Sequence, residues 1–224
     1  MDLLPLFPLP NVVLFPNVFL PLHIFEPRYR EMVADAVASD RMIGMVLLRP
    51  GWEGDYEGRP PVYSVGCSGV VTHVERLADG RYNLVLRGLD RFRIIGEDHE
   101  RSYRRAAIEP LHEQRLTADD RAAVRRQRAT LESMLAPAVE KVGRLGHEQA
   151  GAGNRPKAAD SAMPSAMSDE DLVNALAQYL DFDGLEKQAL LEKPSLRARA
   201  ESLVELLEMK ILMARTPGLS NVAH

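Results

Sequence analysis

The chain has 224 residues, 46% hydrophobic, 27% charged and 6% aromatic. That excludes a disordered or fibrous polymer and leaves room for one good core plus a smaller helical unit. The net charge of −4 at pH 7 argues against a dedicated nucleic-acid binder, which carries a basic surplus.

A single cysteine, Cys67, excludes an intrachain disulfide and a cysteine-based zinc site. The N-terminus shows no basic n-region, so no signal peptide is readable, and no apolar run reaches the about 18 residues of a transmembrane helix. The expected compartment is the cytoplasm.

The chain begins with LLPLFPLPNVVLFPNVFLPLHIFEPRY, residues 3–29, dense in Leu, Val, Ile and Phe but broken at Pro5, Pro8, Pro10, Pro16, Pro21 and Pro27. Proline blocks a helix interior, so the segment predicts short extended pieces bent at each proline. At Pro27 the pattern changes: Tyr29, Met32, Val33, Ala36 and Val37 recur at helical spacing and predict an amphipathic helix over residues 27–39. Pro27 suits a first turn, and Phe25 is placed to pack back on the helix as a staple.

Met42 to Leu48 is a short apolar run and predicts a buried strand, and residues 49–61, RPGWEGDYEGRPP, predict a loop that holds Trp52. Short strands are then expected over 62–64, 69–77, 81–86, 91–95 and 104–111, with Asp79-Gly80 as a hairpin turn. From Thr117, a candidate N-cap, the stripe of Val124, Arg128, Leu131, Leu135 and Val139 predicts a helix to about Val142. Residues 143–167, rich in Gly, Ala, Pro and Ser, read as a mobile linker. Three helices follow. The first is capped near Ser168, the second runs from Leu185 to Glu192, and the third is capped by Ser195 and ends at Thr216-Pro217-Gly218.

Two sets of residues carry a family resemblance. The first is Leu6-Phe7-Pro8-Leu9, Val13-Leu14-Phe15-Pro16 and Leu20-Pro21-Leu22-His23-Ile24-Phe25-Glu26-Pro27-Arg28-Tyr29. The second is Val65-Gly66, Gly69 to Val74, Asp79-Gly80-Arg81, Leu84 to Gly88 and Arg91-Phe92-Arg93-Ile94, in that order. The chain thereby resembles the Lon protease N-terminal, substrate-binding domain family, in particular its short stand-alone bacterial members.

The resemblance implies an α+β fold: a PUA-like β pseudo-barrel with one N-terminal helix over residues 1–115, then a C-terminal α-helical bundle over 116–224. In the full-length proteases of the family this region helps to recognise substrate proteins and to organise the oligomer, and in cereblon the related domain is part of an adaptor scaffold. The expected function is therefore a non-catalytic protein- or peptide-recognition module without cofactor. Its expected partners are proteins or unfolded polypeptide segments, not membrane or nucleic acid, and self-association through the C-terminal helices is left open.

The chemical motifs support no enzyme. The sequence has no G-x-x-x-x-G-K-[ST] phosphate loop, and no domain to supply the family's Ser-Lys dyad. His112-Glu113 and His147-Glu148 open like a zinc-protease motif, but Leu116 and Gly151 stand where its second histidine belongs. Cys67 reads as a small core hydrophobe and His23 as a hydrogen-bonded structural histidine. Arg87, Arg91, Arg93, Arg101, Arg104 and Arg105 read as strand residues facing solvent, offset by Asp90, Glu97, Asp98 and Glu100. A peptidase inferred from the family label and an RNA-binding PUA-like module are the alternatives. The candidate partner-binding residues are Trp52 and Tyr56, aromatics on a Gly-rich loop.

Overall fold

The computed structural model describes residues 3–56, 58–149 and 167–215, with 138–149 described by their backbone alone. The described residues fall into two compact units, Met1–Gln114 with Asn174–Ser195, and Arg115–Val173 with Leu196–His224.

The first unit contains six strands: β1 (Leu4–Leu9), β2 (Phe19–Ile24), β3 (Met42–Leu47), β4 (Val65–Arg76), β5 (Tyr82–Asp98) and β6 (Arg104–Leu111). Helix α1 (Pro27–Ala38) links β2 to β3, and a 3-10 turn covers Trp52–Asp55. The sheet order is β2-β5-β4-β3-β1-β6, and β6 also pairs with β5. Five strands therefore close on themselves, and β2 extends the sheet from β5.

The prolines of the entry segment fit this topology. β1 meets β6 at residues 4–6 and β3 at residues 6–9, so Pro5 and Pro8 each lie where β1 has a strand on one side only. A missing donor there need not break a ladder. In β2, the Phe19 carbonyl accepts the Tyr179 hydroxyl at 2.9 Å and so faces away from β5. By the two-residue repeat Pro21 faces the same way, removing a donor from the free edge instead of from the pairing with β5.

Where the expected strands 81–86 and 91–95 were separate, the structure has one strand, β5, which changes partners partway. Residues 82–87 pair with β2 and residues 91–98 with β6. Gly88 sits at the change: its N–H donates to the Val18 carbonyl and its carbonyl accepts from Asn17, each at 2.9 Å. A Cβ at residue 88 would lie 2.0 Å from the Phe15 carbonyl oxygen. Residues 62–64 supply only an isolated bridge, Leu48 to Val62, because β4 starts at Val65. The Asp79-Gly80 turn forms as expected, with Gly80 at φ +82° and Asp79 accepting the Arg81 N–H at 3.0 Å.

The barrel interior is filled by Leu4, Leu6, Val46, Phe92 and Ala106, with Cys67 fully buried in β4. Helix α1 buries Tyr29, Met32, Val33 and Ala36. Phe25 does not staple this helix; it is 61% exposed. Its neighbour is the His23 ring, whose centroid is 6.4 Å away.

Residues 174–195, expected with the helical part, belong to the first unit. They comprise the last residues of α3 (Asp169–Tyr179) and all of α4 (Gly184–Leu191). Polar side chains hold them to the strands. Gln178 accepts the Phe15 N–H at 3.2 Å, and Gln188 donates to the Val65 carbonyl at 2.9 Å. Arg91, 4% exposed, donates to the carbonyls of Leu191 and Lys193 and pairs with Glu113 at 3.0 Å. Helix α4 starts in a capping box of Asp183 and Glu186.

In the second unit, α2 (Ala118–Gln149) packs on α5 (Leu196–Arg215). Thr117 and Asp120 cap α2 reciprocally, and Ser168 accepts the Asp171 N–H at the start of α3. Helix α2 continues past Val142 into the segment read as a linker, since Val139 to Gln149 is mostly made of good helix formers. The remainder of that segment, 150–166, lies outside the described residues. Arg128 binds Glu132 and Asp169 at 2.9 and 3.0 Å, joining α2 to the start of α3.

Arg91→Met leaves two carbonyls and a mostly buried carboxylate without their donor, and denaturant titration should show a loss of about 3 kcal/mol. An unchanged midpoint would show that Arg91 does not contribute to holding α4.

A second expectation concerns alkaline pH. The Tyr103 hydroxyl donates to Asp35 of α1 at 2.7 Å, and burial, reinforced by that bond, pushes its phenol up to about 12. A raised folded value contributes stability that is fully present below the ordinary 10.0 and is lost as pH rises through about 12. Melting temperatures of the native chain and of Tyr103→Phe should therefore converge over that window; parallel curves would show that the phenol is not raised in the folded chain.

Candidate functional site

The start of α1 and the described residues of the loop over 49–61 border a concave polar surface of the first unit. The prolines and glycines of this loop leave it without a strand or long helix of its own, so its carbonyls are met by arginines. Arg28 donates to the Tyr56 carbonyl at 3.0 Å, Arg49 to Val62 at 3.1 Å, and Arg104 to Pro60 at 2.6 Å. Arg59, on the loop itself, donates to the carbonyls of Asp98 and Arg101 at 3.0 and 3.1 Å.

Arg28 is the centre of the site. Its guanidinium lies 4.7 Å from the Tyr29 ring centroid and 5.1 Å from that of Tyr56, and it pairs with Glu26 at 3.1 Å. Glu26 also accepts the Tyr56 hydroxyl, at 2.5 Å. Burial and the bond to Glu26 hold the Tyr56 phenol above its ordinary pKa, and burial raises Tyr29 further. Both remain neutral donors across the physiological range.

Two concavities meet at Arg28 and Tyr56. One, of about 520 Å³, is lined by Phe25, Glu26, Pro27, Arg28 and Tyr56. The other, of about 240 Å³, passes between Tyr29, Arg59, Arg101, Tyr103 and Arg104. A further pocket of about 260 Å³ opens beside the barrel core at Leu4, Met42, Phe92 and Ile108.

The two residues singled out in the sequence, Trp52 and Tyr56, are brought together, with ring centroids 5.3 Å apart. Both are half-buried. Phe25, Arg28, Tyr29 and Arg59 were missed as site residues. The first three lie inside the family motif, where they read as scaffold, and the signal available for Arg59 was a lone arginine between Gly58 and Pro60 on an aromatic loop.

The arginine run needs correction. Arg91 and Arg104 do not face solvent; they are 4% and 8% exposed. Arg104 forms a two-pronged pair with Glu97, at 2.8 and 2.6 Å, across the diagonal between β6 and β5, where Glu97 lies opposite Ala106. Arg105 pairs likewise with Asp98, whose carboxyl it holds below the usual carboxylate range. His23 is exposed and shares a 2.7 Å hydrogen bond with Asn83. Among the described residues, no three His, Cys, Asp or Glu side chains converge as a metal site requires, and no helix is long and apolar enough to cross a membrane.

The family model of the ATP-dependent protease La (LON) substrate-binding domain matches residues 3–209. Among curated relatives, Lon protease 2 of Myxococcus xanthus is 29% identical over 209 residues, 93% of this chain and 24% of that protein. Lon protease of Anaeromyxobacter dehalogenans is 31% identical over 207 residues, 92% of this chain and 23% of that protein. The chain thus spans about a quarter of the length of the curated relatives it matches.

Among solved structures, the N-terminal domain of Mycobacterium avium complex Lon protease superposes with a TM-score of 0.63 at 18% identity, covering 92% of this chain and 98% of that one. A Lon N-terminal domain protein from Xanthomonas campestris gives 0.58 at 21% identity, with the same coverages. These two show the shared α+β fold. With the family model matching almost from end to end, the chain belongs to the Lon substrate-binding domain family.

Proposed function

We propose that this chain is a non-catalytic recognition module that binds extended or unfolded polypeptide segments, with the surface around Phe25, Trp52 and Tyr56 as the contact area. The observation that carries this reading is the pair of adjoining concavities at Arg28 and Tyr56, with a 61% exposed phenylalanine at the rim. An exposed aromatic beside a concave polar surface supplies what a polypeptide needs: apolar area for a side chain and donors for its carbonyls. The family's description as a substrate-binding domain favours the same class of ligand.

A strand-addition mode is less suited to β2, because Pro21 removes a donor from its free edge. A side chain seated against Phe25, with the backbone near Arg28 and Tyr56, fits the geometry better. We extend the proposal to a cytoplasmic location, where the lone Cys67 would stay reduced.

A labelled, permanently unfolded polypeptide should bind the purified chain saturably and shift the emission of its single tryptophan, Trp52. Phe25→Ser, a surface change with little effect on folding, should weaken binding roughly tenfold, the loss of about 1–2 kcal/mol of apolar contact. Absence of saturable binding overturns the proposal. Turnover of the polypeptide by the pure chain, resistant to removal of contaminating proteases, would replace it with a peptidase.

A further inference from the structure

The 240 Å³ pocket differs from the wider concavity beside it. Among the described residues it is lined by four arginines, Arg28, Arg59, Arg101 and Arg104, and by the phenols of Tyr29, Tyr56 and Tyr103, with no carboxylate. We propose that it is a subsite for one carboxylate group of a bound polypeptide, supplied by a chain terminus or by an Asp or Glu side chain. This rests on the polypeptide-binding reading above.

Two observations point to a ligand oxygen. Tyr29 is 4% exposed and lines the pocket, yet its hydroxyl has no hydrogen-bond partner among the described residues. A neutral phenol in such a place is a donor awaiting an acceptor. Arg59 is the second. Among the described residues its partners are the two backbone carbonyls of Asp98 and Arg101.

The other three guanidiniums are matched from behind. Arg28 pairs with Glu26, Arg104 with Glu97, and Arg101 lies 3.5 and 3.6 Å from Glu31 and Asp35. These carboxylates fix the arginines in place, so little side-chain freedom remains to be lost on binding. Arg59 is the one of the four whose described partners are backbone carbonyls only, and its planar fork of donors suits a carboxylate of a bound polypeptide. The volume suits a carboxylate and the short stem that carries it, with the rest of the polypeptide running out past Arg28 and Tyr56.

The test uses the full chain and three labelled peptides of one sequence without other acids. One ends in a free carboxylate, one is C-terminally amidated, and one is amidated but carries a single internal glutamate. The carboxylate-bearing peptides should bind about tenfold tighter than the amidated one, and whichever binds better identifies the source. Arg59→Gln and Tyr29→Phe should each narrow the gap between the carboxylate-bearing peptides and the amidated one. Tyr29→Phe removes one hydroxyl and no hydrogen bond, so it remains informative if Arg59→Gln loosens the loop.

Equal affinity for all three peptides overturns the carboxylate subsite and leaves polypeptide binding standing. Inorganic phosphate competing better than N-acetylglycine overturns the choice of a carboxylate. If no peptide binds, N-acetylglycine decides: a shift of arginine Nε–H resonances in the native chain, absent from Arg59→Gln, retains the carboxylate site and removes the polypeptide, whereas no shift removes both.

Discussion

The constraint on which the first unit depends is that one edge of β5 must serve two partners. β4 occupies its other edge through residues 82–93, while β2 and β6 share this one in sequence. They avoid competing because the chain at Phe15 to Val18 wedges in at Gly88, where backbone takes the place of a side chain. That wedge ends one pairing and lets the strand turn towards β6, which closes the barrel. Helix α1 follows directly from β2, so the position of Glu26, Arg28 and Tyr29 is inherited from the same wedge.

Arginine supplies most of the cohesion that this topology leaves undone. The loop over 49–61 and the segment around Leu191 to Lys193 present carbonyls that no ladder satisfies, and guanidiniums meet them. A guanidinium suits the task because its fork of donors can hold a carboxylate and a carbonyl at once, as Arg104 does with Glu97 and Pro60. Lysine, a single point of charge, cannot span both. The candidate surface is thus assembled largely by charge-assisted hydrogen bonds on a hydrophobic barrel.

Local patterning made much of the fold legible. The period of Tyr29, Met32, Val33 and Ala36 gave α1, Asp79-Gly80 gave the hairpin, and residues 104–111 form the strand expected of them. Errors arose wherever tertiary context decided. A glycine at 88 read as a break, since nothing local shows that Phe15 will press against it. Phe25 read as a staple because it stands in the right place before a helix, although its own ring sits outward beside His23. Residues 174–195 read as part of a bundle because helical periodicity does not say what a helix packs on; Gln178 and Gln188, polar and buried, were the available hint that backbone lay opposite. The site was legible in its loop and not in its depth. Trp52 and Tyr56 stand out by composition, but Arg28, Tyr29 and Arg59 acquire their roles only when α1, the loop and the turn before β6 converge.

The electrostatics of that convergence bear on what the surface is suited to do. General acid–base catalysis wants a group whose proton leaves near the working pH. Here the perturbed groups move the other way: burial drives Tyr29, Tyr56 and Tyr103 to higher values, so they keep their protons, and guanidinium charge is permanent. Such a surface presents the same donors at every physiological pH. The acids nearby, Glu26, Glu97 and Asp35, each accept a hydrogen bond from a neighbouring donor, which is how a cluster rich in charge becomes fixed.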